Sequence, residues 1–194
     1  QVFFMMNTKY FFIEFSFQNR ESFDALIKFF DVIKDRKDSY YGNLTEEAFL
    51  DFDKAPYLTD FATAWYADVF DYESEEGKVY AQLWALTHPD SRHNHPMFVL
   101  PGNWDIEGVL SAIFNGEYEL KTIEEIADNK GCLYYDPWAE PFGGSESLIE
   151  LIVSFGHEVT YDSWSDMKPP KRVVGWDFEK AKQLIKRGKG IDNA

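Results

Sequence analysis

The chain has 194 residues, 45% of them hydrophobic and 18% aromatic, enough for a core that buries roughly 70% of the surface of the unfolded chain without a disulfide or metal staple. A single cysteine, Cys132, excludes an intramolecular disulfide framework and predicts a reducing, cytoplasmic setting. No apolar run approaches the ~20 residues of a membrane span, and no charged stretch followed by a cleavage site opens the chain, so neither membrane nor leader is expected.

The formal net charge is −15, and it is unevenly spread. Residues 1–75 carry 7 basic and 15 acidic side chains, residues 76–166 carry 4 and 16, and residues 167–194 carry 8 and 3. An acidic body ends in a basic tail. Nucleic acid is therefore not an expected partner, because affinity for polyanions comes from lysine and arginine displacing counterions. A basic protein is the complementary expectation, since an acidic face steers such a partner inward.

In chain order, Phe11, Ile13, Phe15 and Phe17 alternate with Phe12, Glu14 and Ser16, the period of a strand with one buried face. Phe23, Leu26, Ile27, Phe30 and Ile33 follow at helical spacing, with Asn19 or Ser22 as cap and a charged break over 34–43. Thr45 before two glutamates starts a short helix. A further stripe, Leu58, Phe61, Trp65 and Val69, predicts a helix opening at Pro56. Residues 71–77 read as a polar, acidic turn.

Residues 78–86 read as a strand, 106–114 as a helix, 118–126 as a second strand, 132–135 as a third after an Asp128-Asn129-Lys130-Gly131 turn, 148–155 as a helix, and 157–161 as a fourth strand. Gly116 and Gly156 each follow a helix, where a left-handed cap is expected. The order βαββαβ predicts an α+β fold with a ferredoxin-like unit over about 78–162. Its first and third strands are expected to run parallel as neighbours at the centre of the sheet. The whole is expected to be a single domain: residues 9–77 add an N-terminal strand and helices, and residues 163–194 add a basic linker and a C-terminal helix. That helix, from Asp177 to Arg187, has an apolar stripe at Phe178, Ala181, Leu184 and Ile185 that needs burial.

Two loops emerge as candidate chemistry. One, over 87–104, holds His88, Asp90, His93 and His95, residue types that ligate a divalent metal such as zinc, although the helical His-Glu-x-x-His pattern is absent. The other, over 136–145, holds Asp136, Trp138, Glu140 and the Gly143-Gly144-Ser145 start of a helix, where Ser145 or Ser147 is expected to cap. Trp104, Asp136, Trp138 and Glu140 are the expected binding residues, a tryptophan in a loop being suited to anchor an interface or wall a pocket. No Gly-x-Ser-x-Gly, GxGxxG or GxxxxGK[ST] pattern occurs, and Cys132 sits in a strand as a small hydrophobe.

These features predict a non-catalytic, acidic, cytoplasmic binding protein for a basic partner, a role of the kind filled by a toxin-neutralising immunity protein or an inhibitor, with no cofactor. The alternative is a small-molecule or metal-dependent enzyme whose site lies between the 87–104 and 136–145 loops. It requires the histidines and the carboxylates of the two loops to converge.

Overall fold

The computed structural model describes residues 10–40, 45–92, 95–138 and 144–191. In chain order the elements are β1 (Phe11–Ser16), α1 (Arg20–Tyr40), α2 (Glu46–Leu50), a 3-10 turn (Ala55–Tyr57), α3 (Asp60–Ala67), α4 (Glu75–Leu86) and α5 (Pro89–Arg92). A second 3-10 turn (Pro96–Phe98), α6 (Ile106–Asn115), β2 (Tyr118–Ala127), β3 (Lys130–Pro137), α7 (Glu146–Ser154), β4 (Glu158–Asp162) and α8 (Phe178–Lys186) complete them. The fold is α+β. The chain forms two compact units: unit 1 comprises residues 1–67 and 104–169, and unit 2 comprises residues 68–103 and 170–194.

Unit 1 is built on one four-stranded sheet of order β2-β3-β1-β4, with every neighbouring pair antiparallel. The alternation in β1 explains its central place. Ile13 and Phe15 are fully buried and pair with Leu133 and Gly131 of β3, while Phe12, Glu14 and Ser16 occupy the other face. Ile33, Phe30, Leu26 and Phe23 of α1, Val109, Leu110 and Ile113 of α6, and Leu148, Leu151 and Ile152 of α7 share one core with Ile13 and Phe15. Each such side chain contributes about 1.5–3 kcal/mol of burial.

Local signals set the element ends. Asn19 Oδ1 accepts from the amides of Glu21 (2.9 Å) and Ser22 (3.3 Å) at the start of α1, and Thr45 Oγ1 accepts from Ala48 N at the start of α2. Asn129 takes φ +59° in the β2–β3 turn, and Gly156 takes φ +81° after α7. Gly116 differs from expectation, with φ −62°. It is glycine because a Cβ there would run into the Tyr118 ring.

Three expectations are corrected. Residues 78–86 are not a strand; they lie in α4, which belongs to unit 2. Ser74, followed by Glu75 and Glu76, is an N-terminal cap: its Oγ accepts from Gly77 N at 2.9 Å. Leu83 then faces inward on a helical stripe. Second, the strand at the sheet centre beside β3 is β1, and the two run antiparallel rather than parallel. Third, α1 continues to Tyr40 through the segment read as a charged break.

Unit 2 has its own core. Leu83 of α4, Met97, Ala181 of α8 and Ile191 are buried together, with Val79, Phe98, Trp176, Leu184 and Ile185 packed around them. The apolar stripe of the C-terminal helix is thus covered by its own chain. Asp177 caps α8 through Lys180 N at 2.9 Å, and Thr87 Oγ1 accepts from Ile191 N at 3.1 Å to hold the end of the chain against α4.

Candidate functional site

The loop residues singled out by sequence lie in different surroundings. His88 and Asp90 are exposed at the start of α5, where His88 Nδ1 lies 3.5 Å from Asp90 Oδ2 and 3.4 Å from its amide. His95 Nδ1 accepts from Met97 N at 3.1 Å and so caps the second 3-10 turn. His93 lies outside the described residues. Among the described residues, no group of three or more His, Cys, Asp and Glu side chains is placed to hold a metal ion.

Trp104 stands 40% exposed just before α6. Asp136 pairs across the sheet with Glu119 and lies 3.9 Å from Lys121 Nζ. Trp138 is 50% exposed, its amide donating to Glu117 O at 2.8 Å and its ring centroid lying 5.7 Å from Lys37 Nζ. Glu140 lies outside the described residues. His88, Asp90 and His95 belong to unit 2, whereas Trp104, Asp136 and Trp138 belong to unit 1. With residues 78–86 helical, no pair of parallel strands aims the two loops at one end of the sheet.

The expected serine cap of α7 is also replaced. Neither hydroxyl caps the helix: Ser145 Oγ donates to the buried Asp162 carboxylate at 2.8 Å, and Ser147 Oγ shares a 3.1 Å hydrogen bond with Tyr118 OH. Asp162 also accepts from Trp164 N at 3.0 Å and Ser165 Oγ at 2.9 Å. A carboxylate from the end of β4 thereby sits at the positive end of α7, where the helix dipole favours it.

Other buried titratable groups are held out of proton chemistry at neutral pH. Burial, with Glu14 and Glu124 acting in the same direction, pushes the Cys132 thiol up to about 12, so it is a poor nucleophile. Burial pulls His157 down to about 4, with a backbone hydrogen bond at Ser22 opposing; the ring stacks on Phe15 and its Nε2 has no hydrogen-bond partner. Lys37 is the exception: burial, with Asp38 opposing, pulls it down to about 8, nearer to neutral pH than an ordinary lysine.

Charge divides cleanly between the units. Unit 1 carries 25 acidic and 10 basic side chains, while unit 2 carries 9 of each. The entire net charge of the chain therefore resides in unit 1. On α1, Asp24, Asp31, Asp35 and Asp38 form one exposed row, since steps of three, four and seven residues return to the same helix face. Lys34 Nζ pairs with Asp38 Oδ2 at 2.5 Å and Arg20 Nη1 lies 3.9 Å from Asp24. Asp31 is raised above the usual aspartate range, first by partial desolvation and then by the charge of Asp35, with Lys34 opposing.

Beside that row, a groove of about 1060 Å³ runs between the first turns of α1 and residues 56–61. Arg20, Asp24, Lys28 and Asp60 supply both signs of charge along it, and Tyr57 and Phe61 supply rings. Sequence periodicity contained the signal for the row, because like charges four residues apart on a helix are unfavourable and call for an explanation. It contained none for the groove, whose two walls on α1 and residues 56–61 are 28 or more residues apart.

Unit 2 presents a second feature. Phe70, Tyr72, Tyr80 and Trp176 form a network of edge-on contacts, with centroids 5.3 Å apart for Phe70–Tyr72, 6.0 Å for Phe70–Tyr80, 6.1 Å for Tyr72–Tyr80 and 5.3 Å for Tyr80–Trp176. Trp84 and Phe98 extend it inward.

Set against protein-family models, curated proteins and solved structures, the chain matches none of them. No helix among the described residues is long and apolar enough to cross a membrane.

Proposed function

We propose that the protein is a non-catalytic, cytoplasmic binding protein whose acidic unit 1 engages a basic protein partner, in the manner of an immunity or inhibitor protein. The observation that carries this reading is the Asp31–Asp35 relationship on α1. Two carboxylates four residues apart repel, and the free protein carries that cost on an exposed helix face. A lysine or arginine of a partner placed between them relieves the repulsion, so the free energy lost in the unbound chain is returned on binding. The concentration of all fifteen net negative charges in unit 1 supports the same partner chemistry through long-range steering. The plan of unit 1, two split βαβ halves with order β2-β3-β1-β4, supports a ferredoxin-like reading in which β1, not residues 78–86, is the first strand.

The test is a pull-down with immobilised full chain at about 0.05 M and about 0.5 M salt, where the screening length falls from over 10 Å to about 4 Å. A partner retained at low salt, released at high salt and lost from the Asp31→Asn/Asp35→Asn variant supports the reading. Absence of any partner at low salt, or equal retention by the variant, overturns it.

A further inference from the structure

The ring cluster of unit 2 is a surface that the proposed function leaves unused, and its construction differs from that of the acidic row on α1. Tyr72 is 57% exposed and Val69 39% exposed, yet the segment that carries them is fixed from several sides. The amide of Glu73 donates to Asp71 Oδ1 at 2.9 Å, and Ser74 Oγ donates to Asp71 O at 2.6 Å while accepting from Gly77 N. Gly77 has no room for a side chain, because a Cβ would collide with the carbonyls of Tyr72 and Asp71. Gly102, at φ +85°, lies so close to residues 68–70 that a Cβ there would crowd Phe70 N, and Asn103 N donates to Asp68 O at 2.5 Å. Trp176 Nε1 donates to Glu76 Oε1 at 2.6 Å and so fixes the ring that backs Tyr80.

A large ring held in the open by a locked turn has already lost the conformational entropy that an anchor residue normally surrenders on binding. The chemistry of its occupant follows from the rim. Asp68, Asp71, Glu73, Glu75 and Glu76 fall within nine residues around Tyr72 with no lysine or arginine among them. An exposed ring on a segment this rich in carboxylates disfavours acidic and phosphate-bearing ligands and favours a cation that has an apolar body. A guanidinium fits both demands, since it is planar, weakly hydrated and able to stack on a ring while its edges donate to carboxylates. A second copy of the chain is disfavoured as occupant, because it would bring the same five carboxylates face to face.

We propose that the Val69–Glu76 turn with Phe70, Tyr80 and Trp176 is a docking surface for an arginine-bearing segment of a protein partner, with Tyr72 as its anchor. It goes beyond the reading of unit 1, because short-range ring–guanidinium contact is screened far less by salt than long-range attraction to the α1 row.

The experiment titrates the full chain with a ten-residue Arg-Gly repeat peptide at about 0.5 M salt and follows backbone amides by NMR, with a Glu-Gly repeat as control. Amide shifts clustered in residues 69–76, an affinity about tenfold weaker for Tyr72→Ala, and an affinity within about twofold of the wild type for Tyr72→Phe are expected. Tyr72 is exposed, so the alanine variant should keep the wild-type circular dichroism spectrum. Shifts centred on α1 or spread evenly, unchanged affinity in Tyr72→Ala, or no binding at about 1 mM peptide overturn the proposal. So do amide shifts at 69–76 that follow dilution of the protein without peptide, which would assign the surface to a second copy.

Discussion

The Lys37 ammonium ends 2.7 Å from the carbonyl oxygen of Gly116, at the point where α6 stops and β2 begins. The same nitrogen donates to the carbonyls of Ile113 and Phe114, each at 2.8 Å, and lies 4.9 Å from the centre of the Tyr118 ring. All three of its hydrogens are used on carbonyls at a helix end, where the negative pole of the dipole favours a cation; of these, Gly116 O also accepts from Tyr118 N at 2.9 Å. Burial draws the pKa of Lys37 down to about 8, with the charge of Asp38 opposing. Lys37→Met, which keeps the stem and removes the donors, is expected to cost about 2–4 kcal/mol by leaving buried carbonyls unpaired. Urea unfolding measures it, and a change under about 0.5 kcal/mol would show that the ammonium is not the cap.

His157 predicts an acid-sensitive step. Its folded pKa, about 4, lies below the ordinary 6.5, so between those values the unfolded chain binds a proton that the folded chain refuses. Stability is therefore fully present above pH 6.5 and falls as pH drops toward 4. The difference of about 2.5 units corresponds to about 3 kcal/mol. His157→Phe removes the titrating group and keeps a ring beside Phe15. The stability of the wild type relative to this variant should fall by about that amount between pH 6.5 and 4, while parallel curves would place the histidine in contact with water.

The Asp31–Asp35 repulsion gives a prediction of opposite sign. Replacing one partner, as in Asp35→Asn, removes a like-charge neighbour on an exposed helix face, so the free protein should gain a few tenths, about 0.3 kcal/mol. A raised aspartate pKa means that the folded chain holds its proton at higher pH than the unfolded one, so this gain should be present at pH 7 and vanish toward pH 3. Destabilisation of the variant at pH 7 would mean that Asp35 makes a favourable contact, and the argument for a relieving partner would lose its basis.

How far the sequence foretold this arrangement depends on the range of the interactions involved. The β1 alternation, the Thr45 and Asp177 caps and the Asn129 turn are local, decided within four residues, and are visible in the chain. The Ser74 cap was equally local, but Val79, Ala81 and Leu83 alternate well enough to mimic a strand, and the acidic residues before them resembled a turn. Non-local pairing was hidden. Nothing in residues 11–16 says that they lie beside residues 130–135, and no lysine in a charged helix announces that it ends under a helix more than 70 residues away. The candidate sites shifted for the same reason: the loop histidines and tryptophans were conspicuous by type, while Tyr72 and the α1 row depend on which faces remain uncovered.

Asp162 supplies the strictest test of the packing in unit 1. The residue is 2% exposed, and its carboxylate accepts from Ser145 and Ser165 hydroxyls and from the Trp164 amide, tying the start of α7 to the end of β4. The buried Tyr135 OH stands near the same carboxylate, whose charge, after burial itself, helps hold the phenol protonated, with Ser145 opposing. Two substitutions separate shape from charge. Asp162→Asn keeps the Oδ1 acceptor for Trp164, and both serine hydroxyls can reverse to accept from the new amide, so the loss should be about 1–2 kcal/mol. Asp162→Ala removes every acceptor, strands the buried Ser145 hydroxyl and takes the counter-charge from the end of α7, for a loss of about 3–5 kcal/mol. The ordering matters more than either value, because a cost set by desolvating the carboxylate would make the asparagine variant the more stable protein. Urea unfolding of the three chains at pH 7 reads that order directly.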